Sequence, residues 1–498
     1  MRKRRPLFAR LEKVPKARNH AIARIFIHVG CNSILVERFS VHQETLGWLR
    51  DRGGDLRSDS HFAHAGSGTR STAVPGSIWG SGFLWGTSLL PLPVTAILVL
   101  FLLPFSGAVS SADTYAYFGN RAVFFILGAF ILSSPILRSG LSTRIALAVV
   151  SRFGNTQARL IGSILGLSAV MSCVISAHAV AAMLFPIVLE VVRASGSKPG
   201  GRFGLVAFLA LAWGVVIGSN TTLLGGARGP LALGILYNTT GDKITFLQWT
   251  MWAAPLVMVL LVVAYGLLLV MLKGEEVSLK GALRFLEARN NQLGQISQRE
   301  KLTAVLMLGT IFLWVALGDA WGLEAVAFLS VSVAFIIGVA QWREVEEDVN
   351  WGVVLMYGSA IALSAALEKT GAASALTQLL LGAGIGSPLL IFGIVVLMAL
   401  ALTEFMSNAA AVAALLPVAL ALAQKYGIDP RAMTLGVVIP AGLGFMLPVS
   451  TPALAIAVSS GFVRPPAVVR WGIWLDLMGY LVFLGMSKFY WPLVGLKW

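Results

Sequence analysis

Polar residues reach most of this chain in short bursts between long apolar stretches. From residue 84 onward the sequence is mostly apolar runs of 17–25 residues, the length that spans a bilayer as a helix. The runs occupy 84–105, 121–150, 203–236 and 250–272, then 302–319, 323–341, 351–380, 431–462 and 470–492. Two more, 155–195 and 386–424, are too long for one crossing and are interrupted at their middles by Ser, His or Asn. They read as re-entrant hairpins. Irregular backbone at membrane depth survives only where protein or a watery cavity surrounds it. Segments 203–236 and 431–462, cut by "GSNTTLLGGARGP" and "MLPVSTP", therefore read as helices unwound partway.

The pattern also repeats. Ser176 aligns with Ser407, Pro186 with Pro417 and Gly140 with Gly371, all at a spacing of 231. Two copies of helix, hairpin and broken helix, over 80–272 and 302–492, are what an inverted-repeat transporter needs, with broken tips meeting near the midplane. Lys and Arg crowd the arm 1–79, the segment bases at Arg152, Arg159, Arg193, Lys198 and Arg202, and the linker 273–301. Placing these in the cytoplasm gives a consistent alternation through every span, with the hairpins opening to opposite sides. The arm 1–79 has no apolar core for a signal peptide and reads as disordered. The linker reads as an amphipathic helix on the inner surface or as a plain solvated connector.

Composition sharpens this. With 57% apolar and 12% charged residues, the fold class is an all-α polytopic membrane protein. The net charge of +15 marks the cytoplasmic side of such a protein rather than nucleic-acid binding. Two cysteines, Cys31 and Cys173, supply neither a disulfide framework nor a metal site.

Chemistry-bearing residues gather at the interruptions. Ser172, Ser176 and His178 lie on the first hairpin tip, and Thr403, Ser407 and Asn408 on the second. Asn220, Thr221 and Arg228 lie in the first broken helix, and Thr451 and Pro452 in the second. Hydroxyls, amides and freed carbonyls are hard ligands for a small cation, while half-helix N-termini attract an anion. Small polar residues also serve helix packing, but matching clusters beside broken helices in both repeats favour a site. An intramembrane enzyme would need a nucleophile–base or metal constellation. His178 has no second histidine in the membrane region, and Ser176 and His178, two apart, do not face each other on a helix.

"TEFMSNAAAVAALLPVALALA", "WGVVLMYGSAIALSAALEKTG", "FMLPVSTPALAIAVSSG" and "PLPVTAILVLFLLP" resemble the divalent-anion/sodium symporter family over about residues 88–492. The resemblance implies an elevator-type carrier in the plasma membrane, a homodimer, moving a dicarboxylate such as succinate, a tricarboxylate or sulfate. The family's signature is a Ser-Asn-Thr triplet at each tip, binding substrate and sodium. Here the second tip reads Ser407-Asn408-Ala409, with Thr403 four residues earlier and Thr451-Pro452 matching the second broken helix. By this resemblance Thr403, Ser407 and Asn408 hold one sodium ion, and Ser172 and Ser176 the remnant of another.

The first tip departs, reading Ser176-Ala177-His178, and Arg228 stands where the family tends to show threonine. Alanine removes an oxygen ligand, and arginine adds a fixed positive charge that would repel sodium in a low-dielectric pocket. Arg228, with or without protonated His178, is thus expected to substitute for the first sodium, favouring anion exchange or coupling to fewer ions. His178 is open to two other readings, proton coupling or a hydrogen bond to a carbonyl, and Arg228 to snorkelling. Glu404 is expected in an ion pair, with Arg228 as one possible partner. Residues 23–83 are polar where the family carries one or two further helices, which bears on dimerisation. A carrier of related fold for another solute, a channel and a ligand-regulated receptor are the competing readings.

Overall fold

A computed structural model describes residues 92–275, 277–370, 387–448 and 450–496. The expectations for the arm 1–79, for Gly371 and for the end of segment 351–380 lie outside the described residues. The first half runs α1 (Leu92–Phe105), α2 (Ser111–Ala116), α3 (Arg121–Arg138), α4 (Leu141–Phe153), α5 (Gln157–Ser172) and α6 (Ala177–Ala194), then α7 (Arg202–Gly218), α8 (Arg228–Thr240) and α9 (Phe246–Leu272). Next come α10 (Lys280–Gln292), α11 (Gln298–Trp321), α12 (Leu323–Ile336), α13 (Trp342–Asp348) and α14 (Trp351–Lys369). The second half continues with α15 (Pro388–Phe405), α16 (Asn408–Tyr426), α17 (Pro430–Val438), α18 (Pro452–Ser459) and α19 (Pro465–Phe489).

Among the described residues eight helices are long and apolar enough to cross a bilayer. A helix satisfies its own backbone inside hydrocarbon, which leaves the ends to be closed by side chains. Thr245 and Ser297 do this with capping boxes to Gln248 and Glu300. Proline opens α15, α17, α18 and α19 within the first turn, where its missing N–H costs nothing. The outer faces of α9, α11 and α19 expose Met258, Val262, Leu308, Phe312, Ile473 and Trp474. An apolar belt of that extent suits lipid, not water.

One expected segment divides. The run 121–150 is two helices, because Gly140 takes a φ of 86° between α3 and α4, a left-handed conformation that ends one helix and starts the next. The linker carries α10, which packs on α4 and α6 with Ala282 and Leu286 fully buried.

The element order of helix, tip, helix, helix, break, helix occurs twice, once over α5–α8 and once over α15–α18. Ser176 and Ser407, 231 apart in sequence, are the N-caps of α6 and α16, and Pro186 and Pro417 lie inside those helices. In the first copy α7 runs against α5 at very short range. A Cβ on Gly214 would stand 2.4 Å from the Leu165 carbonyl oxygen, and one on Gly218 would stand 2.2 Å from that of Ala169. Only glycine allows the two backbones this approach.

Candidate functional site

The first tip, residues 173–176, meets the break between α7 and α8 through its backbone. Ala177 N–H donates to the Gly225 carbonyl at 3.2 Å, and the Thr222 hydroxyl donates to the carbonyl of Cys173. A Cβ on Gly225 would lie 2.3 Å from the Ser172 carbonyl oxygen and 2.5 Å from that of Ser219, so this glycine is what lets tip and break touch. Among the described residues one buried hydroxyl here, Ser172 Oγ, has no hydrogen-bond partner. Ser176 caps α6 by position only, without a side-chain bond.

The second tip is more tightly knotted. Ser407 Oγ accepts from Ala410 N–H at 3.3 Å and so closes the start of α16. Thr403 Oγ1 lies 2.9 Å from Asn408 Oδ1 and 2.7 Å from the Ala441 carbonyl. As placed, three oxygens converge there with one hydroxyl proton among them. That is the donor set a small hard cation seeks. Thr451 caps α18, accepting from Leu454 N–H at 3.4 Å, with Pro452 as its first residue.

Arg228, the first residue of α8, is 6% exposed and does not snorkel. Its Nη2 donates to Ser219 Oγ at 3.2 Å and to Asn220 Oδ1 at 2.8 Å. Asn220 Nδ2 in turn reaches the Val216 carbonyl at 3.0 Å and the Gly442 carbonyl at 3.4 Å. The guanidinium lies over Gly442, where a Cβ would stand 2.3 Å from Nε and Nη2. Both broken helices thus converge on one arginine. Among the described residues no carboxylate pairs with it.

Two expectations are corrected by this geometry. Among the described residues Glu404 has no basic partner, Arg228 included. Its carboxylate accepts from the N–H groups of Met446 and Leu447 at 3.0 and 2.6 Å, anchoring the second break, and Asp476 of α19 lies beside it. His178, the second residue of α6, has an exposed side chain and no hydrogen-bond partner among the described residues, so it is not tied to a carbonyl.

The sequence reading did not pick out Ser219 and Gly442, which hold Arg228, or Trp249, whose Nε1 donates to the Asn220 carbonyl at 3.2 Å. It also missed Tyr357 of α14, packed against α8, whose buried hydroxyl has no hydrogen-bond partner among the described residues. Ser219 had a visible signal, standing inside "GSNTT". Gly442 had only a glycine in "IPAGLG", and Trp249 and Tyr357 had none.

Residues 83–497 match a family described as the sodium:sulfate symporter transmembrane region. A sodium-dependent dicarboxylate transporter of Staphylococcus saprophyticus, SdcS, is 27% identical over 436 residues, covering 82% of this chain and 84% of that protein. The protein of the same name from Staphylococcus aureus is 25% identical over 438 residues, with 82% and 84% covered. Among solved structures, Neisseria gonorrhoeae MtrF, reported with a class of antimetabolite efflux pumps, has a TM-score of 0.57 at 12% identity, covering 82% of this chain and 97% of that one. The Alcanivorax borkumensis YdaH transporter has a TM-score of 0.53 at 14% identity, covering 85% and 99%. At such identities these two likenesses speak to the fold alone.

Proposed function

Because the chain belongs to the sodium:sulfate symporter family, a family of transporters and not of enzymes, we propose that it is a secondary active carrier of a small dicarboxylate. The observation that carries this is Arg228, a buried guanidinium between two broken helices with no carboxylate partner among the described residues. A buried charge without a counter-ion is unfavourable by several kcal/mol, and an anionic solute relieves that cost. Asn220, Thr221, Ser176, His178, Ser407, Asn408, Thr451 and Pro452 complete the pocket in this reading. Succinate is the natural first probe, given the dicarboxylate named for the SdcS relatives. A tricarboxylate or sulfate fits the same chemistry.

The coupling cation is sodium, held by Thr403, Ser407 and Asn408. The first site, with Ser172 and Ser176 but Ala177 and His178 beside them, takes no second sodium, since Arg228 already supplies positive charge. The hairpins are re-entrant and carry the solute by an elevator motion, in a homodimer of the plasma membrane whose N-terminus is cytoplasmic. The distribution of Lys and Arg supports that orientation.

The fixed charge of Arg228 favours a second reading, exchange of one anion for another, because a guanidinium cannot leave with the solute. Uptake of labelled succinate into proteoliposomes separates the two, run with and without a sodium gradient and with and without internal dicarboxylate. Sodium-driven uptake into empty vesicles supports symport. Uptake only into preloaded vesicles, indifferent to sodium, supports exchange. Failure of both arms with dicarboxylates, tricarboxylates and sulfate would sink the proposal.

A further inference from the structure

Away from this site, α7, α9 and α19 leave an open crevice of about 610 Å³ at the end of the bundle that bears Arg193, Lys198 and Lys273. Its polar lining is three arginines, Arg202, Arg464 and Arg470, and its walls include Val270, Pro466 and Trp471. We propose that this crevice binds the phosphate headgroup of an anionic phospholipid, with the acyl chains lying along the outer face of α9 and α19.

The charges are available. Arg202 is held in place through its own N–H, which bonds Glu275 at 2.5 Å, and through Nη1, which donates to the Lys273 carbonyl. Arg464 extends over Gly200, where a Cβ would stand 3.2 Å from its Nη2, and Arg470 lies 5.7 Å from the Trp471 ring centroid. Among the described residues none of the three pairs with a carboxylate, and the nearby acid, Glu275, is engaged by backbone. Three guanidinium groups around one hollow, none with a carboxylate among the described residues, call for an oxyanion.

The walls select a lipid over a soluble phosphate. Val270 is 52% exposed at the rim, and the same seam continues along the helices through Val262, Ile473 and Trp474, all more than half exposed. A basic pocket between transmembrane helices, opening onto an apolar face at the Lys- and Arg-rich end of the bundle, is the arrangement that holds acidic headgroups. The chain's own N-terminal arm is itself rich in Lys and Arg and would be repelled from it. The inference does not depend on which solute is carried.

Native mass spectrometry of the full chain in mild detergent tests it, titrating phosphatidylglycerol or phosphatidylcholine of identical acyl composition. Phosphatidylglycerol is expected to be retained preferentially. An arginine near an anionic headgroup contributes roughly fivefold in affinity, so Arg464→Gln with Arg470→Gln should weaken it roughly 25-fold, and either change alone roughly fivefold. Retention of phosphatidylcholine should not change, nor should the unfolding temperature of the single variants. Equal retention of the two lipids, or wild-type retention by the double variant, overturns the proposal. So does an equal loss in Arg152→Gln with Arg159→Gln, which would mean general positive charge. Displacement of the lipid by millimolar inorganic phosphate would reassign the crevice to a soluble anion and overturn it as well.

Discussion

At the scale of single residues, the arrangement around Arg228 makes the sharpest demands. Arg228→Gln keeps a donor for Asn220 but removes the charge. A charge-assisted contact is worth about 1.5–3 kcal/mol, so succinate affinity should fall roughly 10- to 100-fold, read as the KM for uptake in proteoliposomes. Unchanged KM would take Arg228 out of the site. Gly442→Ala approaches the same group from the other side. Its Cβ would stand 2.3 Å from the guanidinium, so the arginine must swing away, and anion affinity should drop while Arg228 itself is intact. The sequence made Arg228 conspicuous, since a charge in an apolar run stands out. It did not reveal the partners of Glu404, because spacing along a chain does not say which way a side chain turns in a broken helix. The amides of Met446 and Leu447 are orphaned by that break, and a carboxylate satisfies them as well as it would an arginine.

Among the elements, the contact of α5 with α7 and the knot at the second tip can be perturbed separately. Gly218→Ala drives a methyl against a backbone carbonyl at 2.2 Å, and overpacking of this kind costs about 1–3 kcal/mol or more. Its thermal unfolding temperature should fall clearly. Gly485→Ala, in α19 with nothing within 4 Å of the added carbon, should match wild type or exceed it slightly. Thr403→Val deletes the hydroxyl between Asn408 and Ala441. The sodium concentration for half-maximal uptake should rise several-fold, with the sodium-dependent gain in unfolding temperature shrinking in parallel. The two tips and two breaks were legible in the sequence because Gly, Pro, Ser and Asn interrupt apolar runs there. The division at Gly140 was not, since a single glycine in "ILRSGLSTR" does not by itself announce a left-handed turn. The linker's helical period was visible, whereas its seating on α4 and α6 depends on a tertiary contact.

For the whole molecule, Arg–carboxylate contacts outside the apolar belt tie distant segments together. Arg138 at the end of α3 bonds Asp348 at 2.8 Å and Glu347 at 2.9 Å, and Ser134 donates to Asp348 at 2.6 Å. Arg144 joins Glu300 at 2.7 Å, and Arg299 joins Glu344. Burial pushes the Asp348 carboxyl upward, but hydrogen bonds from Arg138 and Ser134, with the Arg138 charge, outweigh it and hold the group below its ordinary value. A depressed folded-state pKa adds stability above the unfolded value, and that stability is lost as pH falls through the folded one. The unfolding-temperature gap between wild type and Asp348→Asn should therefore be widest near neutrality and close below about pH 4. A gap that is constant with pH would mean that the pair contributes no net charge interaction.

The peptide that joins Ala441 to Gly442 has two neighbours of different kinds. One carbonyl faces the Thr403 hydroxyl, while the next residue supports Asn220 and lies beneath Arg228. Any tilt of that peptide that suits a cation on the Thr403 side is felt by the guanidinium on the other. Such coupling is reciprocal: if sodium raises the affinity for the anion by some factor, the anion must raise that for sodium by the same factor. Two binding titrations, each ligand measured at saturation and in the absence of the other, should return one common number.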